Sequence, residues 1–171
     1  MLPQANYPAN AKESVQALNI AYRQVIEADL PLLFDIYRHT RLKELDAINW
    51  SDKQKQQFLR MQFDAQHRYY QQIYANDDFL LILLHDEPIG RLYIGHWPEE
   101  IHIIDISLLP QYRGAGIGTS ILHGIIEQAQ QQQKFGGIHV EKNNPALRLY
   151  QRLGFNVVAD GETIRSCRTF D

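Results

Sequence analysis

Between Ile101 and Ala129 the chain reads IHIIDISLLPQYRGAGIGTSILHGIIEQA, and this stretch decides the fold. Ile101 to Leu109 is an apolar run of strand length, rich in β-branched isoleucine and stopped by Pro110. From Ile117 the apolar period changes. Ile117, Ile121, Leu122, Ile125, Ile126 and Ala129 recur at steps of one helical turn, so a helix runs to about Gln133. Between strand and helix lies Arg113-Gly-Ala-Gly-Ile-Gly-Thr119. Glycine permits positive φ and a close approach of backbone to a ligand. Successive N–H groups in such a turn converge on one concavity, and the helix start adds partial positive charge. The product is a seat for a phosphate or pyrophosphate, with Arg113 able to add a charge-assisted contact. The dinucleotide fingerprint G-x-G-x-x-G would need glycine where Thr119 stands, and a P-loop would need lysine after Gly118. A phosphate-bearing ligand is implied, and neither nucleotide motif fits.

Outward from this turn the chain alternates strands and helices. Upstream, Leu18 to Val25 alternates as a half-buried strand, and Asp29 stands in N-cap position before a helix to about Arg41, with Leu33, Ile36 and Tyr37 on one face. Ser51 and Gln54 have capping-box spacing. Behind them Phe58, Met61, Ala65, Tyr69 and Ile73 mark the apolar face of a long helix, about Asp52 to Tyr74. Phe79 to Leu84 and Ile89 to His96 form a hairpin, and Trp97 to Glu100 interrupts the pattern before Ile101. Downstream, Gly136-Gly137 leads into a strand, Ile138 to Glu141. Asn144-Pro145 opens a short helix that Gly154 closes. Phe155 to Val158 and Thr163 to Thr169 flank an Asp160-Gly161 turn. The expected fold is α/β (α+β): a central mixed sheet covered by helices. The expected organisation is a flexible lead-in over residues 1–17 and a single domain over residues 18–171.

Bulk properties narrow the function. Of 171 residues, 44% are hydrophobic and 22% charged, with a net charge of −3, so the chain reads as globular and not as a general nucleic-acid binder. The longest apolar run, Phe79 to Leu84, is too short to span a bilayer. The single cysteine, Cys167, cannot form an intrachain disulfide. With no basic segment followed by an apolar one near Met1, the expectation is a cytoplasmic protein. The seven histidines show no metal-ligand spacing, so no metal is expected.

Pro110 with Arg113-Gly-Ala-Gly-Ile-Gly118 resembles the acetyl-CoA signature of the GNAT superfamily of N-acyltransferases, R/Q-x-x-G-x-G/A. Asn143-Asn-Pro-Ala-Leu-Arg-Leu-Tyr-Gln-Arg-Leu-Gly-Phe155 resembles the later motif of that family, N-x-x-A-x-x-L-Y-x-x-x-G-F. The two occur in the family's order, and the element order agrees from about Leu18 onward. The resemblance implies a mostly antiparallel sheet in which two parallel strands splay, with the arm of acetyl-CoA in the gap along Ile106, Ser107 and Leu108. Its pyrophosphate would sit on Arg113, Gly114, Ala115, Gly116, Ile117, Gly118 and Thr119. The motif asparagine that contacts the arm is Asn143 or Asn144. Tyr150 matches the general acid that protonates the departing thiolate. Spacing alone reads Tyr150 differently: with Ala146, Leu149 and Leu153 it forms the buried stripe of its helix.

An alkylammonium must lose a proton before it attacks a thioester, so a base is expected. His102 and His139 match positions where family members carry one, and Asp105 is a third candidate on polarity. The amine would lie against the first two helices, near Arg38, Arg41, Lys43, Glu44, Asp46 and Trp50. The implied activity is direct acetyl transfer from acetyl-CoA to a primary amine of a small molecule or peptide. The alternative is a catalytically silent acyl-CoA-binding sensor. Neither a nucleic acid nor a membrane is an expected partner, and a homodimer is compatible with the resemblance.

Overall fold

A computed structural model describes residues 19–140, 144, 146–157 and 163–166. The expected lead-in, Asn143 and Cys167 lie outside the described residues. Among the described residues seven strands form one sheet in the order β1-β2-β3-β4-β5-β7-β6. They are β1 (Ile20–Gln24), β2 (Asp78–Leu84), β3 (Glu87–His96), β4 (Glu100–Leu108), β5 (Phe135–His139), β6 (Phe155–Val157) and β7 (Thr163–Ser166). Every neighbouring pair is antiparallel except β4 and β5, which are parallel. The helices are α1 (Leu30–Arg41), α2 (Asp52–Ile73), α3 (Ile117–Gln131) and α4 (Leu147–Arg152). Element order and sheet type match the reading from sequence.

Two cores sandwich the sheet. On one face Leu80, Ile82, Leu92, Ile94, Ile101 and Ile103 meet the Ile121, Leu122, Ile125 and Ala129 stripe of α3, with Tyr150 and Phe155 beside them. On the other face Leu81 and Tyr93 meet Leu33 and Tyr37 of α1 and Leu59 and Phe63 of α2. Strand alternation produces this division, because successive side chains of β2 and β3 point to opposite faces.

A bulge in β4 changes that alternation where it matters. Ile94 pairs with Ile103 but Tyr93 pairs with Asp105, so Ile104 is the extra residue. Ile101 and Ile103 face the α3 core before the bulge, and Ile106 and Leu108 pack against it after. Without the extra residue, Asp105 and Ser107 would occupy that aliphatic layer. With it, they face α2.

Two local expectations are revised. Asp29 precedes α1, yet its carboxylate does not cap that helix. It accepts from the Ile26 N–H at 2.8 Å and pairs with Arg23 at 2.7 and 2.8 Å, which clamps the end of β1 to the start of α1. The capping box of α2 forms as expected, with Ser51 Oγ accepting from Gln54 N–H at 3.2 Å and Gln54 Oε1 from Ser51 N–H at 2.9 Å. The buried face of α2 differs: Leu59 and Phe63 are buried, while Met61, Tyr69 and Ile73 are 53–60% exposed. The sheet beneath α2 carries a buried ion pair that needs polar partners, so Gln66 and Tyr70 turn inward and the Met61 stripe turns out.

Candidate active site

The parallel pairing of β4 with β5 runs from Glu100–Phe135 to Ile103–Ile138 and stops there. From Ile104 to Leu108 the β5-side edge of β4 has no strand partner among the described residues. The strands separate at the bulge, which bends β4. Ile106, Ser107 and Leu108 line this opening as half-buried residues. An extended ligand with amide groups fits such an edge as an added strand does.

The opening leads to the glycine turn. Gly114 and Gly116 have φ of 76° and 83°, and Gly116 is the left-handed N-cap residue of α3. A side chain built at either would meet nothing within 4 Å, so only the backbone conformation requires glycine, and the turn faces open space. No side chain caps α3, which leaves its first N–H groups for a ligand. The Arg113 Nε–H donates to the Leu108 carbonyl at 2.9 Å, tying the turn to the end of β4. Ala115 is exposed, Gly118 and Thr119 are half-buried, and the Ile117 side chain belongs to the core, so Ile117 can offer only its backbone. A cradle of this shape at the end of an unpaired strand edge fits the pyrophosphate and arm of acetyl-CoA.

Tyr150 lies in α4 at 6% exposure with its ring edge-on to Phe155. Its hydroxyl has no hydrogen-bond partner among the described residues. Burial, and then the negative charge of Asp105, pushes its pKa up to about 12. The phenol thus keeps its proton at neutral pH and is electrostatically coupled to β4. Asn144 Oδ1 accepts from Ala146 N–H at 2.9 Å, which organises the entry to α4 and leaves its amide NH2 unused by that bond.

On the α2 face, sequence reasoning missed the group that organises the site. Arg91, 2% exposed, reaches Asp105 through Nε at 3.2 Å and Nη2 at 2.9 Å, and donates to Gln66 Oε1 at 3.0 Å. Asp105 also accepts from Tyr70 Oη at 3.3 Å and Ser107 Oγ at 3.0 Å. Burial and the adjacent Asp105 carboxylate raise the Tyr70 pKa. Arg91 sits in a strand whose neighbours are apolar, and nothing local in the sequence distinguishes it from a solvated strand residue.

The three candidate bases have different settings. Asp105 is held by Arg91, Tyr70 and Ser107. His139 ends β5 and is exposed. His102 is 7% exposed, bonded through Nδ1 to Glu100 Oε1 at 2.5 Å, and stacked on Trp97 at 4.3 Å and 8°. Glu100, read from sequence as part of a break, opens β4 and is itself buried.

Of the expected amine-side residues, Arg41 and Glu44 line a cleft of about 110 Å³, together with Tyr37, Leu45, Phe58, Leu59 and Gln62. Arg41 pairs with Glu44 at 3.1 Å, Arg38 pairs with Asp35 at 2.5 Å, and Trp50 packs edge-on against Phe58. Arg38, Lys43, Asp46 and Trp50 do not line it. Among the described residues no helix is long and apolar enough to cross a membrane, and no group of acidic, histidine or cysteine side chains could hold a metal ion.

Comparison with known proteins agrees with this geometry. The profile of the acetyltransferase (GNAT) family matches residues 40–155. A thialysine N-epsilon-acetyltransferase of Mus musculus is 27% identical over 75% of this chain and 81% of its own length. An N-alpha-acetyltransferase of Sulfurisphaera tokodaii is 35% identical over 36% of this chain, a match that spans only 42% of that relative. Among solved structures, the PaiA N-acetyltransferase of Thermoplasma acidophilum in complex with coenzyme A shares the fold with a TM-score of 0.60 at 18% identity, over 85% of this chain and 96% of that one.

Proposed function

Because the chain belongs to the GNAT acetyltransferase family, we propose that it moves an acetyl group from acetyl-CoA directly to a primary amine of a small molecule or peptide. The observation that carries this is the unpaired β4 edge running into a positive-φ glycine turn at a bare helix N-terminus. Arg113 to Thr119 would hold the pyrophosphate through backbone N–H groups. Ile106 to Leu108 would hold the arm, with Asn143 or the Asn144 amide at its side. Acetyl-CoA supplies an activated acyl carbon and a sulfur that leaves with the bonding electrons.

The protein's own residues then handle protons. The ammonium first gives up one proton to solvent, and His102 takes a second from the nitrogen as the C–N bond forms. Tyr150 gives one to the departing sulfur as the C–S bond breaks, and regains it from solvent. The net change is acetyl-CoA plus an ammonium giving an N-acetyl amine, CoA thiol and one proton. His102 is preferred over Asp105, whose carboxylate is engaged by three donor residues, and over His139, which is exposed. The amine would approach from the α1–α2 cleft, where Glu44 and Gln62 can accept from an ammonium. The lone cysteine motivates the cytoplasm as the compartment.

The test is calorimetric titration with acetyl-CoA, followed by thiol release across a panel of amines. Gly116→Glu should weaken acetyl-CoA binding at least about a hundredfold, since it sets a carboxylate in the phosphate cradle and strains a residue at φ 83°. Undiminished affinity would refute the cradle. Binding without turnover on any amine would favour the acyl-CoA sensor.

A further inference from the structure

Nothing in the reaction above uses the Glu100 carboxylate, yet the fold makes room for it at the expense of β5. Glu100 is 5% exposed at the head of β4, and its side chain lies over Gly137. A Cβ at position 137 would collide with the carboxyl group itself, so a larger residue there would force the Glu100 carboxyl out of its place. Burying a carboxylate costs several kcal/mol unless it is partnered. One partner is His102, whose Nδ1 lies 2.5 Å from Glu100 Oε1.

An ionised carboxylate only accepts hydrogen bonds, so Nδ1 must carry the proton, which leaves Nε2 bare in the neutral ring. The ring plane is fixed as well. Trp97 stacks on it at 4.3 Å, Tyr74 just past the end of α2 stacks on Trp97 at 6.4 Å, and Trp97 Nε1–H donates to Asp77 at 3.3 Å. The other acidic groups on this wall are thus committed elsewhere, Asp77 to Trp97 and Asp105 to Arg91.

We propose that Glu100 is a positioning residue: it locks His102 in the Nδ1–H tautomer, with Nε2 as the atom that takes the proton, and Gly137 is the notch that admits it. The inference rests on His102 serving as the base. Its reach is wider than the one bond, because it explains why a buried acid, a glycine on the neighbouring strand and a tryptophan outside the sheet converge on one imidazole.

The experiment is ¹⁵N-imidazole NMR on the full chain, with His102 assigned by its loss in His102→Gln. The expected wild-type spectrum shows a protonated Nδ1 and an unprotonated Nε2. In Glu100→Gln the amide can both donate and accept, so the lock is lost and the Nε2–H form should become a comparable population. Gly137→Ala should do the same with the glutamate chemically intact, because it displaces the carboxyl group. Turnover of Glu100→Gln should fall at least about tenfold, with acetyl-CoA affinity within about twofold. An unprotonated Nδ1 in the wild type, or an unchanged tautomer in both variants, overturns the proposal. Unchanged turnover in His102→Gln would instead overturn the base assignment, whatever the tautomer shows.

Discussion

The two faces of the sheet are built from different materials. Toward α3 and α4 the strands present a mostly aliphatic layer, and the features proposed to bind acetyl-CoA on that side are backbone: a released strand edge and a turn with two left-handed glycines. Toward α1 and α2 the strands present buried Arg91, Glu100 and His102 and half-buried Asp105, all bonded to one another or to α2. The recognition proposed for the first face is through geometry that any side chains could surround. The second depends on each named side chain finding its partner. The β4 bulge at Ile104 separates the two by deciding which residues of one strand face which layer.

The sharpest way to break this contrast is to remove one charge from the polar face. Asp105→Asn leaves the Arg91 guanidinium buried without its anion, and should cost about 3–5 kcal/mol in urea unfolding. Because a buried ion pair mainly offsets its own desolvation, the double variant Arg91→Met with Asp105→Leu should recover most of that loss. If Asp105→Asn costs less than about 1 kcal/mol, the polar face is no more demanding than a solvated one and the contrast collapses.

Tyr150 tests where the two faces meet. Its ring belongs to the aliphatic core while its hydroxyl feels Asp105 across β4. Tyr150→Phe should lower turnover about a hundredfold, with acetyl-CoA affinity within about twofold. Unchanged turnover would reduce Tyr150 to a core residue. The pH dependence has a definite sign. A phenol whose folded pKa is about 12 holds its proton well past the ordinary value, so Tyr150 should impose no fall in turnover up to about pH 10.5. The unfolded chain ionises first, so the stability from this group is present below about pH 10 and lost as pH rises toward 12. Burial raises the pKa of Tyr37, Tyr70, Tyr74 and Tyr93 in the same direction, which should make alkaline unfolding steep over that range.

What could be read from sequence follows the same division. The glycine turn, the α3 stripe and the Tyr150 motif are contiguous, and the physics that needs them is local: positive φ, helical period, a helix start. Residues contributed by separate elements left no such trace. Arg91, Asp105, Gln66 and Tyr70 lie on three elements, and only the β3–β4 register brings the first two together. Glu100 was hidden for a further reason. A glutamate before an apolar run reads as a solvated strand end, and the Gly136-Gly137 pair that could have flagged its burial reads equally well as a turn.

The smallest expected effect concerns α2, where period alone could not choose between two stripes. Phe63 packs between Phe34 and Tyr37 with ring centroids 5.6 Å from each, so Phe63→Ala should cost about 3–5 kcal/mol. Met61, two residues earlier and so about 200° away on the helical wheel, is 60% exposed, and Met61→Gln should change stability by no more than about 0.5 kcal/mol. Urea unfolding of the two variants side by side measures the difference directly. Equal losses would mean that the Met61 stripe is buried after all, and that Gln66 and Tyr70 do not reach Arg91 and Asp105 from this helix. A large loss at Phe63 alone is the outcome expected when the Leu59 and Phe63 face is the buried one and Gln66 and Tyr70 are turned toward the ion pair.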